Sequence, residues 1–340
     1  MRLLLPLIAG LSLAVAAGCA VESAQAAAPA RASDPRLATA MAEIAAMEAR
    51  VAPLAARLAR GAASWCPLTM PTPGWLLGDR RLYSDQVWPL ARTAYGAADA
   101  DTLFIAALDR DGAAARAGLR VGDSITGIDG MAPTAIDDSP HGRMAWAQAM
   151  LADLPATTSL EVHIARLPGA VRLSAAPGCA SEFRVEAYDA VKAQADGTIV
   201  YIPGGMVRFA ADDGELATVI AHEFAHNILR HRARLDAAGI DRGLGQQFGR
   251  SARLTRLTEI EADRLSVWIL ADAGFPADTA ARFWQSYGQR RGGGIFAAPT
   301  HPRWRERVRI VTAEAALMQR LRAADPVIAP PLVTNPPPLE

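Results

Sequence analysis

The sequence has few cysteines and no excess of charge of either sign. Three cysteines among 340 residues are too few for a small scaffold held together by disulfides. Basic and acidic side chains balance at 35 each, and Lys192 is the single lysine. A formal net charge of zero argues against a protein whose main task is to hold nucleic acid by its phosphates. We therefore expect no nucleic-acid partner.

Long hydrophobic runs are also scarce. The one clear run covers residues 3–17 and follows Arg2. It is shorter than the roughly 20 residues of a membrane span, and its charge and length are typical of a signal peptide. The next most apolar stretch, residues 216–229, is too short and carries polar side chains. We predict no transmembrane span. The apolar content of 51% excludes a wholly disordered chain and suffices for one to three domains.

Two cleavage positions are possible for the signal segment. Residues 16–19, Ala-Ala-Gly-Cys, resemble a lipobox, in which Cys19 would be lipidated after a signal of residues 1–18. Alternatively, the small-x-small pattern at 24–26 would direct cleavage after Ala26, giving a signal of residues 1–26. Of the two, we favour the lipoprotein interpretation. Either cleavage position predicts a periplasmic protein of the bacterial envelope.

Export also bears on the other two cysteines. Once Cys19 is lipidated or removed, Cys66 and Cys179 remain. An exported pair can form a disulfide, so we predict a bridge between them. Two free buried thiols are the alternative.

The two ends of the mature chain differ in character. Over residues 34–64, apolar side chains recur every three or four positions and predict a helix, which Pro53 would kink or split. Residues 326–340 are rich in proline, and we predict a disordered tail.

Residues 95–176 have the pattern of a small β-rich domain. Short apolar runs predict strands, and glycines between them predict tight turns. The run Ala-Gly-Leu-x-x-Gly-Asp-x-Ile at 117–125, followed by Ile-Asp-Gly at 128–130, resembles the PDZ domains attached to bacterial envelope proteases. That resemblance implies a module that binds extended peptides, often C-termini, at a sheet edge. A PDZ-shaped spacer that binds nothing is the alternative.

Residues 180–323 contain the motif that carries chemistry. A long helix is predicted over 214–235, and it includes His-Glu-Phe-Ala-His at 222–226. Because residues four apart share a helix face, His222 and His226 can bind the same zinc ion. Glu223 then lies beside the metal, where it can take a proton from the zinc-bound water.

A catalytic zinc site needs a third protein ligand and one open position. His231 follows His226 by five residues, about 500° around a helix, so we expect a packing or surface histidine there. A downstream helix offers Glu259, Glu261 and Asp263. Glu259 and Asp263 share a face, but spacing alone does not choose between Glu259 and Glu261 as the ligand.

Three segments together resemble the gluzincin peptidase family of the CAAX prenyl endoprotease and HtpX. They are the His-Glu-x-x-His motif, Glu-x-x-x-Asp at 259–263, and Thr-His-Pro at 300–302 followed by Arg307. The likeness covers about residues 185–312. Without spanning helices, the chain resembles the soluble envelope branch, although residues 189–196 lack the Asn-Ala pair common in the family.

The resemblance implies a role for each matched residue. His222, His226 and Glu259 would hold one zinc ion per chain, Glu223 would be the general base, and Asp263 would hydrogen-bond a ligand histidine.

The remaining matched residues keep two interpretations each. In the family the segment of His301 lies near the zinc, so His301 would either stabilise the oxyanion or bind the metal and hold the enzyme latent. Arg307 would steady the same loop or bind substrate. We also expect the substrate backbone to pair with an edge strand around residues 199–202.

These observations predict an α+β protein with two folded parts. One is a mainly helical zincin-type metallopeptidase domain with a small sheet, and the other is the small β-rich PDZ domain. We expect an exported zinc endopeptidase that acts on polypeptides, with misfolded or unassembled envelope proteins as its substrates. The alternative is a zinc-binding chaperone or adaptor whose proteolysis is latent or absent. A purely structural zinc site is disfavoured, since such sites hold four protein ligands and favour cysteine.

Overall fold

The computed structural model describes residues 34–240, 248–291 and 300–339. The predicted signal segment, its two cleavage positions and Cys19 lie outside these ranges. Within them, no helix combines the length and the apolar character needed to cross a membrane.

A single helix, α1 (Pro35–Ala62), opens the described chain. Asp34 caps it by accepting a hydrogen bond from the backbone N–H of Arg36. The helix continues through Pro53, and its second half is buried in the main core. Arg50 attaches α1 to the start of a later helix, since its Nε lies 2.9 Å from Asp213 Oδ1. The predicted helical segment over 34–64 is therefore present as one element.

The chain leaves α1 through a narrow two-stranded ribbon. Strand β1 (Thr69–Thr72) pairs antiparallel with β7 (Ala176–Cys179). A disulfide joins Cys66 to Cys179, whose Cα atoms are 5.5 Å apart. The intervening residues therefore form one large excursion that leaves and returns at the same base.

That excursion contains a five-stranded antiparallel sheet with its own apolar core. The strands follow chain order across the sheet, so each one pairs with its sequence neighbour. Together with the helices around them they are β2 (Trp75–Asp79), α2 (Trp88–Tyr95), β3 (Leu103–Leu108), α3 (Ala113–Arg116), β4 (Ser124–Ile128), α4 (Gly142–Asp153), β5 (Leu160–Ile164) and β6 (Ala170–Leu173).

The sheet begins before the expected boundary at residue 95. Strand β2 begins at the last residue of a stretch, 65–75, whose prolines and glycine predict an irregular connector. Its Trp-Leu-Leu run pairs with β3 across a bulge between Leu76 and Leu77, so the apolar side chains outweigh the flanking breakers.

A second, three-stranded sheet lies beside the helices of the C-terminal part. It consists of β8 (Glu182–Glu186), β9 (Gln194–Ala195) and β10 (Ile199–Pro203). β10 lies in the middle, parallel to β8 and antiparallel to β9. The expectation that residues 199–202 form an edge strand was therefore wrong. The two edge strands are β8 and β9, and β9 is too short to be recognised in the sequence.

Helices make up the rest of the chain. They are α5 (Gly204–Phe209), α6 (Asp213–Ile228), α7 (His231–Ala237), α8 (Gly249–Asp272), α9 (Thr279–Arg291), α10 (Trp304–Ala324) and α11 (Pro331–Thr334). The helix predicted over 214–235 is two helices, because Arg230 adopts a left-handed conformation with φ of 53°. The main core lies where α1, α6, α8 and α9 meet.

The proline-rich tail differs from its prediction. The structure describes residues 326–339, and apolar side chains among them pack against the helical part. Leu332 of α11 is 5% exposed in the main core, and Ile328 and Val333 pack against it. Composition predicted disorder here because proline is frequent, yet these three apolar side chains find a surface to cover.

Candidate metal centre

Helix α6 carries the His-Glu-x-x-His motif through the middle of the core. Asp212 caps the helix by accepting a hydrogen bond from the backbone N–H of Glu215. The helix is buried along most of its length, which holds the side chains of His222 and His226 in place. Both imidazoles project toward α8, the helix with which α6 makes its most extensive contact.

Three ligand-type side chains meet between α6 and α8. Nε2 of His222 lies 3.4 Å from Nε2 of His226 and 3.4 Å from Oε2 of Glu259. Nε2 of His226 lies 3.5 Å from Oε1 of Glu259. All three residues offer atoms within 4.8 Å of one another. Of the two candidates left open by the sequence, Glu259 rather than Glu261 therefore joins the histidines.

This spacing fits a zinc ion. Tetrahedral ligands at the usual Zn–N and Zn–O distances of about 2.0–2.1 Å lie roughly 3.3–3.4 Å apart. Two imidazoles and one carboxylate are also a donor set that zinc enzymes use, and three protein ligands leave a fourth position open.

Asp263 and Arg307 contact the candidate ligands His222 and Glu259. Asp263 follows Glu259 by one helical turn, is fully buried, and places Oδ1 3.0 Å from Nδ1 of His222. Arg307 of α10 donates to Oε2 of Glu259 at 2.7 Å, and its Nε lies 3.2 Å from Oδ2 of Asp263. The guanidinium also stacks 3.9 Å above the ring of Trp284. The structure thus places Arg307 against the carboxylates.

His301 lies at the rim of the centre. Its Nε2 is 3.5 Å from Oε2 of Glu259, and its Nδ1 is 2.8 Å from the hydroxyl of Thr300. The side chain is 35% exposed, so it faces both the ligands and solvent. Both roles expected for His301 therefore stay open.

The ligands perturb one another electrostatically. Burial lowers the pKa of His222, but its contacts with Asp263 and Glu259 outweigh this and raise the pKa to about 9. Burial holds the pKa of His226 well below its usual range. For Glu259, burial acts upward, yet His222, His226 and Arg307 hold its pKa well below the ordinary value. The site therefore favours an ionised carboxylate beside a neutral His226.

Glu223 has the protonation behaviour that suits a base. Burial raises its pKa to about 7, with nearby Glu259 acting in the same direction and His222 against it. A general base works best when its pKa lies near the working pH. The same motif thus supplies two imidazoles and a carboxyl group that exchanges protons near neutrality.

His231 is buried, as one of its two expected placements requires, but it packs against His226 instead of pointing away from the site. It is 2% exposed, and its Nδ1 lies 2.9 Å from Nδ1 of His226. On a continuous helix residue 231 would point away from His226, whereas the left-handed Arg230 breaks the helix and turns the His231 ring back toward the site. An arginine in the left-handed region gives no signal in the sequence.

Two comparisons with known proteins bear on this region. Residues 179–315 match the model of Peptidase family M48. The mitochondrial metalloendopeptidase OMA1 of Schizosaccharomyces pombe is 29% identical over 136 residues, which cover 33% of this chain and 40% of that protein. The chain thus matches less than half of that relative's length. The segment that holds His222, His226 and Glu259 is accordingly similar to Peptidase family M48, and both likenesses support a metallopeptidase.

Proposed function

We propose that this chain is an exported zinc-dependent endopeptidase. The observation that carries the proposal is the convergence of His222, His226 and Glu259 at 3.4–3.5 Å, with Glu223 beside them on the same helix. The similarity to Peptidase family M48 and to a metalloendopeptidase supports the same activity.

His222, His226 and Glu259 would hold the ion. Zinc would supply a Lewis acid that polarises the scissile carbonyl and makes a water molecule more acidic. The Glu223 carboxylate accepts the proton of the attacking water and delivers it to the amide nitrogen of the leaving group. Asp263 keeps the Nδ1 proton of His222, which directs the Nε2 lone pair toward the ion.

The substrate would approach along the free edge of β9. Because β10 is paired on both sides, the free edges of that sheet among the described residues belong to β8 and β9, and β9 packs against α6, the helix that carries His222 and His226. An extended peptide that adds to β9 as a strand would be held by main-chain hydrogen bonds, with little demand on its sequence. This supports polypeptides of low specificity as the substrate class.

The finer parts of the proposal rest on the sequence. The signal segment and Cys19 support a periplasmic or lipid-anchored protein, and the glycine pattern at 117–130 supports a PDZ domain that presents chain ends. A protease with these attachments would remove misfolded or unassembled envelope proteins.

A second candidate function follows from His301. Its Nε2 lies 3.5 Å from Oε2 of Glu259, so His301 would hold the ion together with the other three residues. The protein would then be a zinc-binding chaperone or adaptor with latent activity. His301→Ala would increase cleavage in that case, whereas it would decrease cleavage if His301 stabilises the oxyanion.

The test compares the mature wild type with Glu223→Gln on casein, with zinc measured in both. Glu43→Gln, at an exposed position of α1, is the matched control. We expect zinc in all three proteins and cleavage by the wild type and Glu43→Gln only. Cleavage by Glu223→Gln at the wild-type rate would contradict the assignment of the base.

A further inference from the structure

Behind His226, a second histidine lies between the metal centre and a buried carboxylate. The left-handed turn at Arg230 ends α6 and begins α7 with His231. The rings of His226 and His231 then meet edge to face, with centroids 4.8 Å apart. Because His231 is almost completely buried, its two ring nitrogens must find partners within the protein.

Each of those nitrogens has a partner. Nδ1 of His231 lies 2.9 Å from Nδ1 of His226, and Nε2 lies 3.0 Å from Oε2 of Glu261. Arg234 donates to the same Oε2 at 2.5 Å and to Oε1 at 3.3 Å. It also donates to the backbone carbonyl of Pro337 at 2.7 Å. A continuous chain of contacts therefore runs from His226 to the C-terminal tail.

The chemistry of the partners allows one arrangement of protons along this chain. If Nε2 of His226 gives its lone pair to a metal, its Nδ1 carries the proton and must donate. Nδ1 of His231 must then accept, so the proton of His231 is on Nε2. That N–H donates to Glu261, whose ionised carboxylate only accepts.

The two ligand histidines are thus supported differently. Nδ1 of His222 meets the carboxylate of Asp263 directly at 3.0 Å. Nδ1 of His226 reaches the carboxylate of Glu261 only through the ring of His231. The left-handed Arg230 makes the second arrangement possible, since a continuous helix would carry residue 231 away from His226.

We propose that His231 is a positioning residue for His226. It accepts a hydrogen bond from the Nδ1–H of His226 and donates one from its own Nε2–H to Glu261. The orientation of the His226 ring that results directs its Nε2 to the metal. The inference rests on the proposed zinc endopeptidase function. It goes beyond that function by assigning a role to His231, Glu261 and Arg234.

The experiment measures zinc affinity first, by competition with a chromophoric chelator. His231→Phe keeps a ring of similar size but removes both nitrogens, whereas His231→Asn retains an acceptor near the Nδ1 position. His163→Phe, a substitution on β5 in the separate sheet, is the matched control. Loss of such an outer hydrogen-bond partner typically weakens metal binding about 10–100-fold. We expect that loss for His231→Phe, a smaller loss for His231→Asn, and wild-type affinity for His163→Phe.

A second readout separates positioning from packing. The visible absorption of the cobalt-substituted proteins reports ligand geometry, and a mere packing role would leave it unchanged. We expect altered band positions in His231→Phe and partial recovery in His231→Asn. If His231→Phe fails to fold, Glu261→Gln tests the same chain, because it keeps an acceptor for the His231 N–H but loses the charge. We then expect a smaller, measurable loss of zinc affinity.

The outcomes distinguish this inference from the proposed function. Wild-type zinc affinity and an unchanged cobalt spectrum in His231→Phe, or in Glu261→Gln, would overturn the positioning role while the endopeptidase stands. Failure of the wild type to bind zinc at all would overturn both.

Discussion

Two buried arginines, one in each part of the molecule, meet carboxylates in different ways. Arg143 of α4, in the five-stranded sheet region, donates from Nε to Asp79 at 2.8 Å and from a second nitrogen to the other oxygen of Asp79. It also donates to the backbone carbonyl of Asp101 at 2.8 Å. Arg307, in the helical region, is shared between Glu259 and Asp263.

The difference lies in what remains for each carboxylate after the arginine is bound. Around Arg143, both oxygens of Asp79 receive donors and the charge is neutralised locally. Around Arg307, Glu259 still turns its oxygens toward the Nε2 atoms of two histidines at 3.4–3.5 Å. His222, His226 and Glu259 together could hold a metal ion, so the convergence of these three side chains, more than the buried arginine, marks the candidate site.

The largest effect is expected when one of the three candidate ligands is removed. Glu259→Ala leaves two imidazoles, too few for a catalytic zinc site, and also leaves Arg307 without one of its two carboxylates. We expect zinc content to fall from one ion per chain to near zero and cleavage of casein to vanish. Elemental analysis after dialysis measures this, with Glu43→Gln as the control. A fully loaded Glu259→Ala protein would contradict the ligand assignment.

The next effect separates stability from metal binding. Arg143→Met leaves the fully buried carboxylate of Asp79 without its main partner. Breaking a buried pair in this way costs about 3–5 kcal/mol. We expect urea unfolding to show that loss while zinc affinity, measured on the folded protein, stays at the wild-type value. Weaker zinc binding by Arg143→Met would show that the two regions are coupled.

Arg307→Met makes the reciprocal comparison. Because Arg307 holds both the ligand Glu259 and its neighbour Asp263, we expect zinc binding to weaken about 10–100-fold. Chelator competition measures the dissociation constant. Equal zinc affinity in Arg307→Met and the wild type would remove the distinction drawn between the two arginines.

The smallest effect is expected where α1 meets the sheet region. Glu48 accepts a hydrogen bond from Tyr95 at 2.7 Å, and burial raises the pKa of Glu48 to about 7, although this bond acts in the opposite direction. A carboxyl group whose pKa is higher in the folded state stabilises that state while it is protonated. This stabilisation is complete below the ordinary pKa of 4.5, and it is lost as pH rises through about 7.

The corresponding variant is Glu48→Gln, which keeps an acceptor but cannot ionise. Because Glu48 is only partly buried by surface area, we expect a modest difference of about 1–2 kcal/mol. Between pH 5 and pH 8, the free energy of unfolding of the wild type should fall by that amount relative to Glu48→Gln. Parallel pH profiles of the two proteins would refute a raised pKa for Glu48.

Much of the metal centre could be predicted because it lies on regular helices. The spacing of four residues places His222 beside His226 and Asp263 beside Glu259, and α6 and α8 are close to the predicted helices. Once two helices are correct, the faces that meet follow from periodicity. The selection of Glu259 over Glu261, however, needed the family resemblance before the structure placed it.

The parts that escaped prediction depend on local exceptions. The left-handed Arg230 reverses the direction of His231, and nothing in the type of residue indicates it. The two-residue strand β9 covers the side of β10 that was expected to be a free edge for the substrate. In the tail, the frequent prolines predicted disorder, so the burial of Leu332 was not predicted. That burial depends on a surface made by residues distant in the sequence.

The position of α1 at the start of the described chain has a consequence for folding. Its buried face packs against α6 and α8, which are more than 150 residues further along the chain. Closing so large a loop is slow, and contacts of this range lower the folding rate. The part of the apolar face of α1 that packs on α6 and α8 therefore stays uncovered until those helices have formed, whereas the five-stranded sheet can pair its strands in order. In a refolding experiment, we expect the sheet region to acquire amide protection before α1 does.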